Sequence, residues 1–409
     1  MVRPEGMGAS NINHETNPRL QGMKFFGPLR KLLDDLRKHR PNATRTLHYD
    51  DYLVYLLMAF FNPAYQSLRA IVKLSDTPRM QGNFGLRHTS LGSFSEASST
   101  FDPELLRRVF LELSEQAHAS NAPARPAGFP EDLKLLAADG STWKLLPRMA
   151  RALYQKPLTR SRKGERKGHF VFNVLKGVPE DVEFTGGAVD ERQVLPRQLE
   201  PGALYLLDRG YCSWKLTQQI LDAGSSLLMR LRSDNTWTVV GSQPVSDAAA
   251  EGGVIGDDLV RAGKLERDLR IIRVRRVSPA PRNLHAKKNG GKHGSYEPGV
   301  PLVQEWILLT DRLDWDAEML VEMYAHRWHI ETFFRWLKVT LQCQHLLAES
   351  ENGMNLQFYA ALIATLLVVI HTRCKPTKGL WLAINLYLTG WSEWEQLEKE
   401  IKRCQSAGQ

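Results

Sequence analysis

The stretch ALYLLDRGYCSWKLTQQILDAGSSLLMRL, residues 203–231, decides the fold class. Ala203–Leu207 is an unbroken apolar run, as expected of a strand buried on both faces, and it ends directly at Asp208. Trp214–Ala223 spaces its apolar residues as a helix does, and Ser226–Leu231 returns to a strand-like run. Strand, helix and strand in so short a span read as an α/β domain with mixed elements.

The same texture extends outward. Leu133–Ala138 is a second apolar run, closed by Asp139. His169–Leu175 (HFVFNVL) alternates, Val182–Val189 is strand-like, and Trp306–Thr310 (WILLT) is another buried strand. Between them, residues 233–303 carry short strand-like pieces, Trp237–Val240 and Leu269–Val277, among glycine-rich turns. That stretch is expected to be an all-β insertion, with a flexible basic loop at Arg282–Gly294. One long helix is expected from about Asp316 to Leu341.

Upstream, residues 1–22 read as a loose polar tail without the apolar core of a signal peptide. Residues 23–130 read as a helical region that includes His48–Phe61 and Pro103–Ala119, closed by the proline-rich linker Asn121–Pro130. The expected order is tail 1–22, helical DNA-binding region 23–130, first catalytic part 131–232, insertion 233–303, second catalytic part 304–372 and C-terminal tail 373–409. Leu356–Ile370 is the most apolar stretch, yet about five residues short of a membrane span, so a buried helix is expected and no membrane partner.

With 409 residues, 43% of them hydrophobic, the chain can build two or three cored domains, which excludes a disordered or collagen-like protein. Its formal charge of +9 favours polyanionic partners, nucleic acid before acidic membrane. A moderately basic enzyme without such a partner carries the same charge, so charge alone does not decide. The cysteines Cys212, Cys343, Cys374 and Cys404 form no CxxC pair. Neither a zinc ribbon nor a disulfide framework is indicated, and a reducing cytoplasm is the expected setting.

Asp139 and Asp208 each follow a buried strand, where side chains can face a cleft. Two such carboxylates suit a shared magnesium ion, which takes one or two carboxylates and substrate phosphate. For either Asp alone, a cap on the turn that follows is the favoured explanation. The segment YAHRWHIETFFRWLK, Tyr324–Lys338, adds weight. At about 100° per residue, Tyr324, Arg327, Glu331, Arg335 and Lys338 fall on one stripe within roughly 80°. Met323, Ile330, Leu337 and Leu341 form a core stripe beside it. An Arg327–Glu331 surface pair, contributing about 0.3–0.5 kcal/mol, would account for two of these residues but not for the others. A metal-bound acid among phosphate-binding cations accounts for all.

Tyr324-x2-Arg327-x3-Glu331-x6-Lys338 resembles the signature of bacterial insertion-sequence transposases of the insertion-sequence-four family. Asp139-Gly-Ser and Leu-Leu-Asp208-Arg-Gly-Tyr resemble that family's other acidic motifs, and the resemblance covers roughly residues 130–372. It implies a ribonuclease H-like catalytic domain interrupted by the β insertion, with Asp139, Asp208 and Glu331 as the catalytic, metal-holding triad. The separations, 208 − 139 = 69 and 331 − 208 = 123, fit an insertion before the last acid. The resemblance also implies two magnesium ions, with manganese possible, and a homodimer acting on double-stranded transposon ends and target DNA. It implies that Tyr324, Arg327 and Lys338 hold phosphates of the transposon end. Some members pass through a DNA hairpin, with a tryptophan of the insertion stacking on a flipped base. Trp237 lies within that stretch and Trp306 just past it.

DNA contacts are further expected from Arg335, Arg209, Arg162, Lys163 and Lys167. The last three belong to a basic run between Trp143 and His169, and a second basic cluster includes Arg273, Arg275, Arg276, Lys287 and Lys288. Trp328 and Trp336 are expected to pack, and His326 and His329 to be incidental neighbours. The function expected is metal-dependent cutting and joining of DNA. A nuclease of the same fold that does not join, or a DNA-binding descendant without catalysis, are the other readings.

Overall fold

A computed structural model describes residues 30–38, 46–61, 67–83, 86–120, 126–144, 165–263, 265–278, 301–343, 345–348, 350–388 and 390–407. The chain divides into two compact units. The first comprises residues 1–124, 145–164 and 335–409, and the second residues 125–144 and 165–334.

Among its described residues the first unit is helical. It contains α1 (Arg30–Lys38), α2 (Tyr49–Phe61), α3 (Leu68–Ser75), α4 (Pro78–Asn83), α5 (Leu91–Thr100) and α6 (Pro103–Ser120). Ser67 and Ser90 cap α3 and α5 by accepting from the amides of Ala70 and Ser93, the ordinary Ser N-cap. Aromatic residues fill the centre. Tyr49 stacks on Phe101 at 4.4 Å between ring centroids, and Tyr52 lies 4.7 Å from Phe94. The apolar stretch after residue 350 forms a helix of 22 residues, Glu351–Thr372, longer than the apolar run alone indicates. By length and hydropathy it could cross a membrane, but 89% of its most apolar window is buried within the protein, as in a core helix.

The second unit is built on one nine-stranded mixed sheet. Its strands are β1 (Lys134–Lys144), β2 (Glu165–Asn173), β3 (Val178–Gly186), β4 (Ala203–Leu207), β5 (Ser226–Arg230), β6 (Thr238–Ser242), β7 (Val254–Arg261), β8 (Leu269–Ser278) and β9 (Leu302–Thr310), in the spatial order β3-β2-β1-β4-β5-β9-β8-β7-β6. β1, β4 and β5 run parallel, and the remaining neighbours pair antiparallel. β4 is buried along its whole length, as its continuous apolar sequence requires. The helix between β4 and β5, Trp214–Asp222, supplies the crossover that a parallel pair needs. The stretch expected to be an all-β insertion is not purely β. It holds the short helix Asp247–Glu251, and its strands continue the main sheet edge to edge instead of forming a sheet of their own. Removing the apolar side chains of Ile271, Leu308 and Leu309 from water makes that continuation favourable.

Strand period sorts the two faces of this sheet. Leu136, Ala138, Tyr205, Leu207, Leu227 and Met229 join Leu216 and Ile220 of the crossover helix in one core. Their alternates, including Ala137, Asp139, Leu206 and Leu228, therefore belong to the opposite face. On that face Phe170 and Phe172 of β2 meet Phe333 at 5.8 and 4.8 Å.

The single long helix expected from Asp316 to Leu341 is three pieces. Ala317–Ala325 is α-helical, Trp328–Arg335 is a second α-helix, and Trp336–Thr340 is a π turn. At the junction the amides of His326 and Arg327 bond three residues back, to Met323 and Tyr324, each at 3.1 Å. That tighter winding, by about 20° per residue, rotates everything after Arg327 relative to a straight helix. The core stripe survives the interruption: Met323, Ile330, Leu337 and Leu341 are all buried.

Candidate active site

Asp139 is not at a strand end, as the sequence reading has it. β1 runs on to Lys144, with Asp139 paired to Phe170 of β2. What ends there is the pairing with β4, whose last partners are Ala137 and Leu206. Extending that register by two residues sets Asp139 beside Asp208. The backbone of Asp208 is still extended, with φ −81° and ψ 175°, so the extension is sterically natural. The β4–β5 register, which ends at Leu207 opposite Met229, likewise sets Asp208 beside Arg230. Asp139, Asp208 and Arg230 thus form a row across three neighbouring strands, on the face that also receives Phe333.

Each aspartate is oriented by a backbone amide. The amide of Gly140 donates to Asp139 Oδ1 at 2.7 Å, and that of Gly210 donates to Asp208 Oδ1 at 2.7 Å. Asp208 therefore caps the turn Arg209–Tyr211 and stands in the row as well; the two readings of this residue are compatible. Burial and the negative charge of Asp208 push the Asp139 carboxyl up to about 7, with Glu331 adding to the repulsion and Arg327 opposing it.

Arg327 ties the acids together. Its guanidinium bonds Glu331 Oε1 at 2.6 Å and reaches within 4.0 Å of Asp139 Oδ2. The pair with Glu331 is not the surface pair that spacing alone allows, because the Arg327 side chain is only 16% exposed. Tyr324 is buried, and its hydroxyl donates to the carbonyl of Leu207, the residue before Asp208, at 3.2 Å. Burial raises that phenol to about 12, so it is a neutral donor at any physiological pH.

Sequence reasoning passes over Arg230. Its guanidinium lies 4.7 Å from the ring centroid of Trp306, with Arg276 at 5.2 Å from the same ring and Tyr324 edge-on at 5.9 Å. Burial lowers the Arg230 pKa, with Arg209 and Arg327 acting in the same direction and Asp208 opposing them. The signal was present in the sequence: SLLMR ends in Arg230 just as ALYLL ends before Asp208. Arg209 is exposed beside Asp208.

Lys167, expected to contact DNA, has partners within the protein. Its side chain is 11% exposed and its ammonium bonds Glu191 and, at 3.3 Å, the carbonyl of Val189. A buried ammonium needs such a partner, and this one has found it inside the protein. Arg335 is exposed and Lys338 half-buried, both in the first unit. Arg162, Lys163, Lys287 and Lys288 lie outside the described residues, as does the loop Arg282–Gly294. Trp336 is buried as expected, its indole donating to Thr365, whereas Trp328 is exposed. His329 meets the carbonyl of Val174 at 3.0 Å, and His326 lies edge-on to it.

The donor chemistry of the two aspartates fits a divalent cation. Two carboxylates held side by side repel each other, which the raised Asp139 pKa registers, and a cation between them would relieve that repulsion. Glu331 is held by Arg327. Among the described residues no three His, Cys, Asp or Glu side chains stand close enough to hold a metal ion together. The fit therefore rests on Asp139 and Asp208.

Residues 130–367, more than half of the chain, match the family described as the transposase DDE domain, and the chain belongs to that family. It is 27% identical to a putative transposase of Sinorhizobium fredii over 51% of this chain and 53% of that protein. It is 38% identical to a probable transposase for insertion sequence element IS5377 of Geobacillus stearothermophilus, over 15% of this chain and 16% of that one. It is 37% identical to a putative transposase for element IS4SA of Synechocystis, over 12% and 15%. These names are consistent with the insertion-sequence-four family. The chain thus spans about half the length of the first relative and about a sixth of the other two. Among solved structures, a piggyBac transposase synaptic complex with hairpin DNA is 14% identical, covering 94% of this chain and 84% of that chain at a TM-score of 0.40.

Proposed function

We propose that the chain is a DDE transposase that binds transposon ends, cuts them and joins them to target DNA with Asp139, Asp208 and Glu331. The observation that carries this reading is the register that places Asp139 beside Asp208, facing the element that carries Glu331. The order β3-β2-β1-β4-β5, an antiparallel triplet followed by two parallel strands, supports a ribonuclease H-like core.

Magnesium, or manganese in its place, would be held by Asp139 and Asp208, with Glu331 completing a second site, and would supply charge stabilisation at the attacking and leaving oxygens of an in-line displacement. Arg327 and Arg230 flank the acids and suit the phosphates on either side of the scissile bond. Tyr324 fixes the Leu207 carbonyl and so the direction of Asp208. Water attacks the phosphodiester and the 3′-hydroxyl leaves; that hydroxyl then attacks a phosphodiester of the target and expels a second 3′-hydroxyl. Arg209, Arg335, Lys338, Arg162 and Lys163 are proposed as further contacts to DNA phosphates, on their charge. A homodimer on paired ends, in a bacterial cytoplasm, completes the reading.

Incubation with DNA carrying the inverted repeats that bracket the gene, in magnesium, tests it. Joined product supports a transposase. Cut but unjoined product supports a nuclease, and binding alone a protein that has lost catalysis.

A further inference from the structure

Behind the acid row, on the far face of β1, the ion pair between Lys167 of β2 and Glu191 lies against Gly140. A Cβ at Gly140 would fall 2.6 Å from Glu191 Oε1 and 2.7 Å from Lys167 Cε, far inside contact distance. The pair therefore rests directly on the Gly140 backbone. That residue's amide donates to Asp139 Oδ1. A second bond from the Lys167 ammonium, to the Val189 carbonyl, ties down the turn that leads into Glu191–Val194. Asp190 fixes the same turn by accepting from the Arg192 amide at 2.9 Å.

We infer that Lys167 and Glu191 are positioning residues for Asp139: their ion pair holds the Gly140 peptide from behind, and the Gly140 amide in turn aims the Asp139 carboxylate. The inference deepens the metal-dependent reading above and rests on it. Neither side chain needs to touch DNA or metal. A glycine at position 140 is what lets the pair lie flat on the strand, so a methyl group there pushes the pair aside and reproduces the effect of breaking it. The atoms it would strike are the mobile ends of two long side chains, so the fold tolerates the change while the alignment does not.

The test uses the full chain as Lys167→Met, Glu191→Gln, Gly140→Ala and the double variant Gly140→Ala/Glu191→Gln. Three quantities are read: Mn2+ binding by titration calorimetry, metal-dependent nicking of supercoiled plasmid, and the melting temperature. Each single variant should bind Mn2+ about 10-fold more weakly, the scale of losing a group that orients a metal ligand. The metal needed for half-maximal nicking should rise in parallel. The double variant should be no worse than the weaker single one, because both changes break the same contact. Wild-type Mn2+ affinity in all variants, an additive double variant, or losses that merely follow melting temperature would each overturn the inference. A wild-type chain that neither binds Mn2+ nor nicks plasmid would instead sink the metal-dependent reading, and this one with it.

Discussion

Asp139 is the residue at which fold and chemistry conflict most openly. A carboxylate pushed up to about 7 binds its proton more tightly in the folded chain than unfolded, where its value is near 3.8. Its contribution to stability is therefore fully present below about 4 and is lost as pH rises through 7. Metal-free Asp139→Asn should accordingly melt higher than wild type at pH 8, by roughly 2–4 °C for each kcal/mol relieved, with the gain absent at pH 4. Thermal scans in a chelator at the two pH values would show it, and an equal shift at both would refute the cause. Glu331→Gln carries the opposite emphasis. It should abolish cutting while leaving end binding intact; a variant that still cut in magnesium would remove Glu331 from the reaction.

At the scale of elements, the helix that carries Glu331 and the helix before it are each anchored. Phe333 docks the former on β2, and the turn before Ala317 is held by Arg270. The Arg270 guanidinium and the Asp257 carboxylate, 4% and 2% exposed, bond each other at 2.6 Å, while Arg270 also donates to the carbonyls of Arg312, Leu313 and Trp315. Removing one partner leaves a buried charge. Arg270→Ala should cost about 3–5 kcal/mol in denaturant unfolding. Arg270→Leu with Asp257→Leu should lose less than Arg270→Ala alone, because no charge is then stranded; a larger loss would show that the carbonyl contacts dominate. Tyr324→Phe should cost only about 1 kcal/mol from the bond to Leu207 and should disturb cutting more than folding.

For the whole molecule the relevant quantity is charge. An excess of nine positive charges makes binding to any polyanion fall steeply with salt. If Arg230 contacts a phosphate, Arg230→Ala should lower the slope of log affinity against log salt by about 0.9. Exposed Lys402, paired within its own helix to Glu398 at 3.2 Å, is a suitable control, and Lys402→Ala should leave the slope unchanged. Anisotropy titrations of end DNA at several salt concentrations would separate the two.

The sequence by itself determined the local facts. The apolar runs before Asp139 and Asp208 pointed to buried strands, because a run as short as Ala203–Leu207, apolar throughout and closed by a turn, suits a strand buried on both faces. The stripe of Met323, Ile330 and Leu337 fixed which side of the downstream segment is core. Spacing also put Arg327 one turn before Glu331. What it left open was everything set by register and by partners distant in the chain. Asp139 meets Asp208 because β1 pairs with β4 in one particular alignment, and a slip of one residue would turn either side chain to the other face. Arg230 joins them through β5, which no local pattern announces as a neighbour. Lys167, read as a DNA contact, is buried because Glu191 and Gly140 make room and charge for it, a decision taken between segments 24 residues apart, from 167 to 191. The expected long helix broke at Arg327, where three-residue bonds replaced the regular ladder. Periodicity reports which residues share a face; only tertiary pairing decides which faces meet. Asp139 and Asp208, 69 residues apart in sequence (208 − 139 = 69), stand side by side solely because of those pairings.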